Sequence, residues 1–413
     1  MKRTSPKAEE VIEAIDFSKR VEETVKSLEK EILEKESEKI RLKSHWGVNS
    51  PISRNVTAQR KGEADLFQTL DARDRFRRVC SIESSFDETR LKGRDLQDWN
   101  EGGGAKTLSP LSQLLWKIFE SKFVETNPLP TGKDSTADRE EQIAQSFSFN
   151  GRVVLPFTEF QIRTGNVDED GLPLPMTRKR KKQLFTALLP LRAWSGIATV
   201  GDEKGIDFSL LSSREKDPNY IAISFTPEMI RLGFLNGILT KYPNWFFKVG
   251  KSPNDFRFNQ FLHDLIHRNV EEILKNEGRI YRRREDVINI GLPYFPTIAT
   301  LGKSKKWLEV FGTDVDNFIE TRHSERVTIH STTEDKTPID WEGKGAKQYR
   351  GARILQTMIC FTVNAEEIRE DVESLPDKNL KQKRYRTKML KLLDALVQKQ
   401  RNEGLFQKRI SSQ

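Results

Sequence analysis

The chain has 413 residues, with 70 Lys and Arg against 61 Asp and Glu and a net charge of +9. Its longest apolar runs, such as Ala187–Leu191, are far shorter than the ~18–20 residues of a membrane-spanning helix, and no apolar signal core follows Met1. This composition excludes a membrane protein and predicts a cytoplasmic protein of two or three domains, since a domain averages roughly 100–200 residues. The two cysteines, Cys80 and Cys360, are too few for a disulfide framework.

Residues 1–45 carry a balanced mixture of acids and bases and a short apolar stripe on a helical period, formed by Val21, Val25, Leu28 and Ile32. This pattern predicts a long, charged helical arm. Because the stripe spans only about two heptads, it fits a solitary solvated helix as well as a dimeric coiled coil. Residues 46–107 have scattered apolar side chains and a glycine run near their end, which predicts a linker-like or partly disordered segment.

Residues 108–250 are predicted to form the first folded domain. Ser109 and Pro110 are typical of a helix N-terminus, and a polar insertion at 125–142 separates that helix from a short strand and a short helix that ends at Gly165. A helix with a basic first turn is predicted next, followed by strands. These elements are the helix 177–194 and the strands 197–200, 206–211 and 220–225. Helix, strand, two helices and a hairpin are the order of a winged-helix domain.

Residues 251–375 repeat this order and are predicted to form a second winged-helix domain. An amphipathic helix from Phe258 to Leu274 comes first, and a long polar loop at 331–352 separates the last two strands. The other predicted elements are an extended stretch at Val287–Ile290, helices at Pro296–Leu308 and Val315–Thr321, and strands at Arg326–His330 and Arg353–Phe361. The predicted fold class is α+β, with two winged-helix domains, a long N-terminal helix and a basic C-terminal helix.

Residues 376–413 are predicted to form a basic amphipathic tail helix. Between Lys378 and Ile410 there are eleven Lys and Arg, and the only acids are Asp394 and Glu403. The apolar face consists of Met389, Leu390, Leu393, Leu396 and Val397. Such a helix suits nucleic-acid phosphates or the groove of another helix, or it packs as a solvated helix on the second domain.

Motifs for nucleotide hydrolysis and metal binding are weak. A Walker loop is absent, because Thr297 occupies the position of its first glycine before Gly302-Lys303-Ser304. His263 and His267 are spaced i, i+4 on a predicted helix, but they lack a third ligand nearby and lie on an apolar stripe. We therefore expect no metal, no cofactor and no catalytic residue.

One pattern keeps an enzymatic alternative open. Glu342-Gly343-Lys344, with Asp314, Asp316 or Asp335 as the upstream carboxylate, resembles half of a magnesium-dependent nuclease site. The triplet lies in a polar stretch rather than on a strand, where a pleat would direct both side chains at one metal ion. The sequence therefore favours an ordinary loop.

The basic clusters carry the functional prediction. Binding to a duplex needs several Lys and Arg on one face, since phosphate contacts supply affinity before any base is read. Here such clusters lie at predicted helix starts and in a loop between strands. The predicted DNA-binding residues are Arg178, Lys179, Arg180, Lys181, Lys182, Arg282, Arg283, Arg284, Lys303, Lys305, Lys306, Lys344, Lys347, Arg350 and Arg353. A helix around Lys303–Val310 is predicted to enter the major groove, with Trp307 as a core anchor.

The layout resembles that of the iteron-binding plasmid replication initiators, which are built from two winged-helix domains. The resemblance covers about residues 108–370 and is carried by Ser109–Phe119 with Leu155–Gly165, by Tyr220–Leu232, and by Leu301–Val327 followed by Arg353–Val363. It implies that the first domain dimerises and contacts the DNA backbone, that the second reads directly repeated origin sites, and that a host helicase or primase is recruited without ATP hydrolysis. The first 107 residues, the insertion, the long loop and the tail depart from the compact family pattern.

Together these features predict a non-enzymatic, sequence-specific protein that binds double-stranded DNA and acts as a plasmid or phage replication initiator. The predicted partners are double-stranded DNA, a second copy of the chain through the first domain, and a host helicase or primase, with no membrane. Two alternatives remain. One is a metal-dependent nuclease, and the other is a helical protein-interaction protein without DNA affinity.

Overall fold

The computed structural model describes residues 40–41, 67–73, 79–101, 108–127, 146–200, 203–235, 241–242, 244–250, 252–292, 295–296, 298–302, 305–373 and 380–406. Almost all of the predicted N-terminal arm and most of the predicted insertion at 125–142 lie outside these residues. The described chain combines helices with small antiparallel sheets, which agrees with the predicted α+β class.

The strands are β1 (Ile40–Arg41), β2 (Phe67–Arg73), β3 (Val79–Phe86), β4 (Arg152–Pro156), β5 (Trp194–Val200), β6 (Glu203–Ser209), β7 (Leu211–Lys216), β8 (Tyr220–Phe225), β9 (Lys241–Tyr242), β10 (Arg279–Arg283), β11 (Val327–Thr332) and β12 (Met358–Val363). The helices are α1 (Arg94–Glu101), α2 (Pro110–Thr126), α3 (Phe157–Arg163), α4 (Arg178–Ala187), α5 (Leu189–Ala193), α6 (Pro227–Met229), α7 (Asp255–Arg268), α8 (Val270–Lys275), α9 (Arg284–Asp286), α10 (Ile298–Leu301), α11 (Asp314–His323), α12 (Ala365–Glu373) and α13 (Leu380–Asn402).

The first unit, residues 108–235, is built around α2 and the three-stranded sheet β4-β8-β7. The hydroxyl of Ser109 accepts a hydrogen bond from the amide of Ser112 at 3.1 Å and so caps α2, as the sequence predicted. Trp116 and Phe123 of α2 pack edge-to-face on Phe225 of the central strand. These aromatic contacts fix the helix against the sheet.

The helix predicted over 177–194 is divided in the structure. α4 ends at Ala187 and α5 begins at Leu189, with Pro190 in the first turn of α5. Proline donates no backbone hydrogen bond, so it is compatible with the first turn of a new helix but not with the interior of a continuous one.

The second unit, residues 252–373, is built around α7 and the sheet β10-β12-β11. The prediction of an extended stretch at Val287–Ile290 is wrong. The strand β10 lies earlier, and Val287–Gly291 are helical turns that continue α9. In β10, Ile280 is buried opposite Phe361 and the arginines around it are more exposed. A strand with one buried apolar position and several arginines gives almost no apolar alternation to detect.

Both units run in the same order: helix, strand, helix, further helix, then two strands. In both sheets the last strand in sequence is central and pairs antiparallel with the other two. The repeated order that the sequence suggested is therefore present among the described residues. One difference is that the hairpin β5–β6 precedes β7 in the first unit and joins another sheet.

The prediction of a linker over 46–107 is wrong for a large part of that segment. β2 and β3 pair with each other, and β3 pairs with β5 to build the four-stranded sheet β2-β3-β5-β6. Phe86 stacks on Trp99 of α1 with ring centroids 5.6 Å apart. The partner strand lies more than a hundred residues downstream, so local composition contains no sign of the pairing.

The tail helix α13 agrees with its predicted basic amphipathic character, and it packs on the second unit. Met389, Leu393 and Leu396 are buried. Gln400 donates to the carbonyl oxygen of Val363 at 2.8 Å and accepts from the amide of Ala365 at 3.0 Å. Gly278 has φ +91°, and a Cβ there would lie 2.9 Å from the Gln400 amide nitrogen, so glycine permits this close approach.

The two units share one continuous buried apolar cluster. α2 of the first unit contacts α7 of the second. On α2, Lys117 and Glu120 form a buried ion pair at 2.6 Å, with 2% and 0% of their side chains exposed. Burial of this charged pair costs free energy, which close pairing within the helix offsets.

Candidate nucleic-acid interface

The basic run at 178–182 forms the first turns of α4. Thr177 caps this helix by accepting a hydrogen bond from the amide of Arg180, and Leu184 anchors it in the core. Arg178, Lys179 and Lys182 are exposed, as expected for groups that contact a ligand. The Lys182 ammonium lies 3.6 Å from the carboxylate of Glu101.

The other two cations of this run are half-buried. The Lys181 ammonium donates to the carbonyl oxygen of Pro218 at 2.6 Å and lies 4.9 Å from the ring centre of Phe157. Arg180 donates to Gln183, and burial lowers the pKa of its guanidinium. The five cations therefore do not form one uniform face.

The hairpin β7–β8 is held against α4. The guanidinium of Arg214 lies 3.7 Å from the ring centre of Phe185 and donates to the carbonyl oxygen of that residue at 2.7 Å. It also pairs with Asp95, which in turn pairs with Arg192. Lys216, at the end of β7, is exposed and lies 5.7 Å from the Phe185 ring centre. The structure thus places a further cation beside the basic helix.

The sequence prediction missed Lys216. A weak signal was available, because Lys216 directly precedes Asp217-Pro218, a dipeptide typical of turns. A cation beside a hairpin turn is where a wing carries its phosphate contacts.

In the second unit, the helical segment begins later than predicted. Lys305 and Lys306 lie in a turn before Trp307, and Lys306 pairs with Glu309 at 3.7 Å. The side chain of Lys303 lies outside the described residues. Trp307 is 6% exposed, lies 5.3 Å from Phe311 and donates to the carbonyl oxygen of Gly302. Its predicted role as a core anchor is confirmed.

The outward surface of this second-unit helix is acidic. The helical turns Glu309–Thr313 run directly into α11. The exposed residues of the combined segment are Glu309, Asp314, Asn317, Glu320, Thr321 and Arg322. Arg322, the one cation in this set, pairs with Asp255. The body of this helix therefore carries negative charge where a groove-reading helix would carry positive charge.

The prediction that Arg284 binds DNA is wrong, because this side chain is fully buried. Its guanidinium donates to the Asp316 carboxylate at 2.7 Å, to the Thr357 hydroxyl at 3.0 Å and to the carbonyl oxygen of Phe311 at 3.0 Å. It also donates to the hydroxyl of Ser331. A guanidinium surrounded by acceptors in the core cannot contact phosphate.

The two neighbouring arginines differ from Arg284. Arg282 pairs with Glu272 at 3.1 Å and is partly exposed. Arg283 is exposed and lies 3.8 Å from Glu334. β-strand alternation and the helix start at Arg284 thus send three consecutive arginines into three different environments.

The long loop between β11 and β12 presents cations on a fixed base. Lys347, Arg350 and Arg353 are exposed and make no ion pair with another described residue. The side chain of Lys344 is outside the described set. Trp341 fixes the loop, since its indole N–H donates to Asp316 and to Ser331, both at 2.9 Å. The loop is thereby tied to the same partly buried carboxylate that binds Arg284.

One carboxylate of the alternative nuclease site, that of Asp316, already has other partners. The carboxylate of Asp316 is taken up by Arg284, Ser331 and Trp341. Within the described ranges, no group of three or more His, Cys, Asp or Glu side chains has the geometry to hold a metal ion. His263 is buried among Tyr242 and Phe246, which agrees with core packing.

Comparison of the chain with protein-family models, characterised proteins and solved structures returns no match. Among the described helices, none is long and apolar enough to cross a lipid bilayer. The geometry and charge of the chain itself are therefore the basis for inferring its function.

Proposed function

We propose that the chain is a sequence-specific protein that binds double-stranded DNA through two winged-helix domains, the first and second units. The observation that carries this proposal is in the first unit. There the exposed cations of α4 lie beside the hairpin β7–β8, and the first strand of that hairpin ends in the exposed Lys216. In winged-helix proteins, the helix before the hairpin and the hairpin itself are the elements that approach a duplex.

The repeated strand order supports the same proposal. Both three-stranded sheets place the last strand between the other two, with a helix packed across one face. In each unit the third helical segment buries its apolar side, with Leu184 of α4 and Ile319 of α11 in the core, and its other side lies at the surface. The exposed cations of these elements are therefore accessible to a ligand.

The second unit contributes differently. The acidic outer surface of α11 disfavours its entry into the major groove, since phosphates repel carboxylates. We propose that this unit contacts DNA through Lys305 and Lys306 and through the loop cations Lys347, Arg350 and Arg353. This proposal differs from the expectation that a helix around Lys303–Val310 enters the major groove.

The biological role that fits is replication initiation on a plasmid or phage genome, in the cytoplasm. The support is the layout shared with iteron-binding initiators, whose domains dimerise, bind direct repeats and recruit a helicase or primase. Direct repeats beside the gene, protected by the purified protein, are the expected observation. Protection spread evenly over unrelated sequence would contradict the initiator role while leaving DNA binding intact.

The test of DNA binding is a fluorescence-anisotropy titration of the full chain with a labelled duplex from its own upstream region. If about six phosphates are neutralised, affinity should fall by about 1,000-fold between roughly 50 and 200 mM salt. A shuffled duplex of the same composition is the control, and it should bind with a similar salt slope but lower affinity. A flat salt response would contradict the proposal.

A further inference from the structure

A cleft of about 400 Å³ lies between the start of α4 and the turn that joins β7 to β8. Its lining consists of Met176, Arg178, Lys181, Lys216, Asp217 and Pro218. Three of these residues are cations and one is an acid, so the cleft is electropositive. Its lining comes from two elements that are about 35 residues apart in sequence, so the fold and not the local sequence brings these cations together.

The two walls of the cleft are locked together. Lys181 of α4 donates to the carbonyl oxygen of Pro218 in the turn. Arg214 of β7 donates to the carbonyl oxygen of Phe185 in α4 and stacks on its ring. The spacing between the cations on the two walls is therefore set before any ligand arrives, which lowers the entropic cost of binding.

The cations of the basic run at 178–182 lie on different sides of α4. Residues three apart lie on the same side of a helix, so Arg178 and Lys181 both face the hairpin, while Lys179 and Lys182 share the outward side. Of the pair that faces the hairpin, Lys181 is half-buried and Arg178 is exposed, and Lys179 and Lys182 are both exposed. Only the first pair borders the cleft.

The donors in the cleft are incompletely used. Lys181 has three ammonium hydrogens, and one is given to Pro218. Arg178 and Lys216 are exposed and form no ion pair with any other described residue. Cations from two walls that line one cavity and have spare donors suit the oxygens of a phosphate group.

We propose that this cleft binds one backbone phosphate of duplex DNA, which Arg178 and Lys216 contact together. This inference rests on the proposed DNA-binding function and assigns a distinct task within it. The bound phosphate fixes the position of α4 along the duplex, and Lys179 and Lys182 then contact other groups on the DNA.

The test is a double-mutant cycle measured by anisotropy on the full chain. Because Arg178 and Lys216 share one phosphate, Arg178→Ala and Lys216→Ala should each weaken binding about tenfold, and the double variant only slightly more. The salt slope should fall by about 1 in the double variant, as for one lost phosphate contact. The loss should be equal on site-containing and shuffled duplexes, because a phosphate carries no sequence information.

The matched control is the cycle Lys179→Ala with Lys182→Ala, which also removes two exposed cations of the same helix. These two effects should add, since the cleft does not join them. Additive losses for Arg178 and Lys216, or no loss, would overturn the shared-phosphate inference while the salt-dependent binding of the unaltered chain stands. No salt-dependent binding by the unaltered chain would instead overturn the proposed function.

A competition arm separates the DNA backbone from free phosphate. Inorganic phosphate is added to the complex at constant ionic strength, with chloride as the reference anion. It should displace DNA no better than chloride, because a free ion has none of the neighbouring contacts of a duplex. Displacement by phosphate alone, lost in Lys216→Ala, would assign the cleft to free phosphate and contradict the inference.

Discussion

The two units share an order of elements and a strand order, but the exposed side of α4 and that of the segment Glu309–His323 carry opposite charge. In the first unit, the helix before the hairpin exposes Arg178, Lys179 and Lys182. In the second, the corresponding segment exposes Glu309, Asp314 and Glu320. The comparison teaches that the buried apolar positions specify the architecture, whereas the outward positions specify the ligand independently. A polyanion should therefore bind the two units through different elements.

The units also differ in how the hairpin strands are held to the rest of the fold. In the first unit, Arg214 of β7, whose side chain is 1% exposed, donates to the carbonyl oxygen of Phe185 in α4 and pairs with Asp95, and the half-buried Lys181 donates to Pro218. In the second unit, Arg284 is buried and joins the helix, β11, the long loop and the start of β12. In both units a buried guanidinium therefore holds the hairpin, and Arg284 of the second unit also contacts the loop that carries the cations.

The largest expected effect comes from removing that guanidinium. Arg284→Met should lower the free energy of unfolding by about 3–5 kcal/mol, because it leaves the Asp316 carboxylate without its buried partner. Urea denaturation measures this change. The neighbouring exposed residue supplies the control, and Arg283→Met should change stability by less than about 0.5 kcal/mol.

A second substitution sharpens this result. Adding Asp316→Leu to Arg284→Met removes the stranded charge, so the double variant should be more stable than the sum of the single effects by about 0.5–3 kcal/mol. Simple additivity of the two substitutions would mean that the pair is not energetically coupled. The buried network would then not be what holds the loop in place.

The next effect tests the charge difference between the units. Lys179→Glu with Lys182→Glu in the first unit should weaken DNA binding about 100-fold, because attraction to phosphate is replaced by repulsion. Lys305→Glu with Lys306→Glu in the second unit should cost less than about tenfold, since Lys306 is already partly neutralised by Glu309. Anisotropy titrations at one salt concentration measure both. Equal losses would show that the two units contribute alike and would contradict the charge difference. A larger loss for the second-unit variant would show that the second unit carries the main contact.

The sequence predicted the features that depend on local pattern. The cap at Ser109, the basic start of α4, the anchoring role of Trp307 and the amphipathic α13 all follow from periodicity and capping rules. The repeated order of elements also followed, since it depends on the succession of such local patterns.

The features that could not be predicted from the sequence depend on contacts between distant residues. β3 pairs with β5 across more than a hundred residues, so its segment resembled a linker. Arg284 looked like the surface arginines beside it, because only the folded chain brings Asp316, Ser331 and Thr357 around its guanidinium. Lys216 had no basic neighbour in sequence other than Arg214, and its place beside α4 follows from the hairpin geometry.

The smallest effect concerns pH and again separates the units. Residues 108–235 contain no histidine, whereas the second unit contains the buried His323. Burial, with Arg326 and Arg322 nearby, lowers the pKa of His323 to about 3. The unfolded chain therefore binds a proton below about pH 6.5 that the folded chain does not, and stability falls as the pH decreases through that value.

Between pH 7.5 and 5.5, this difference should cost the folded state about 1.4 kcal/mol, and His323→Phe should remove that loss. The ring centre of His323 lies 4.9 Å from that of Phe258, so phenylalanine fits an aromatic site. Urea unfolding at the two pH values provides the measurement. The exposed His330, whose pKa burial also lowers, is the control, and His330→Gln should leave most of the pH dependence. If unfolding at pH 5.5 is unchanged in His323→Phe, the acid sensitivity belongs to carboxylates present in both units and the contrast between them fails.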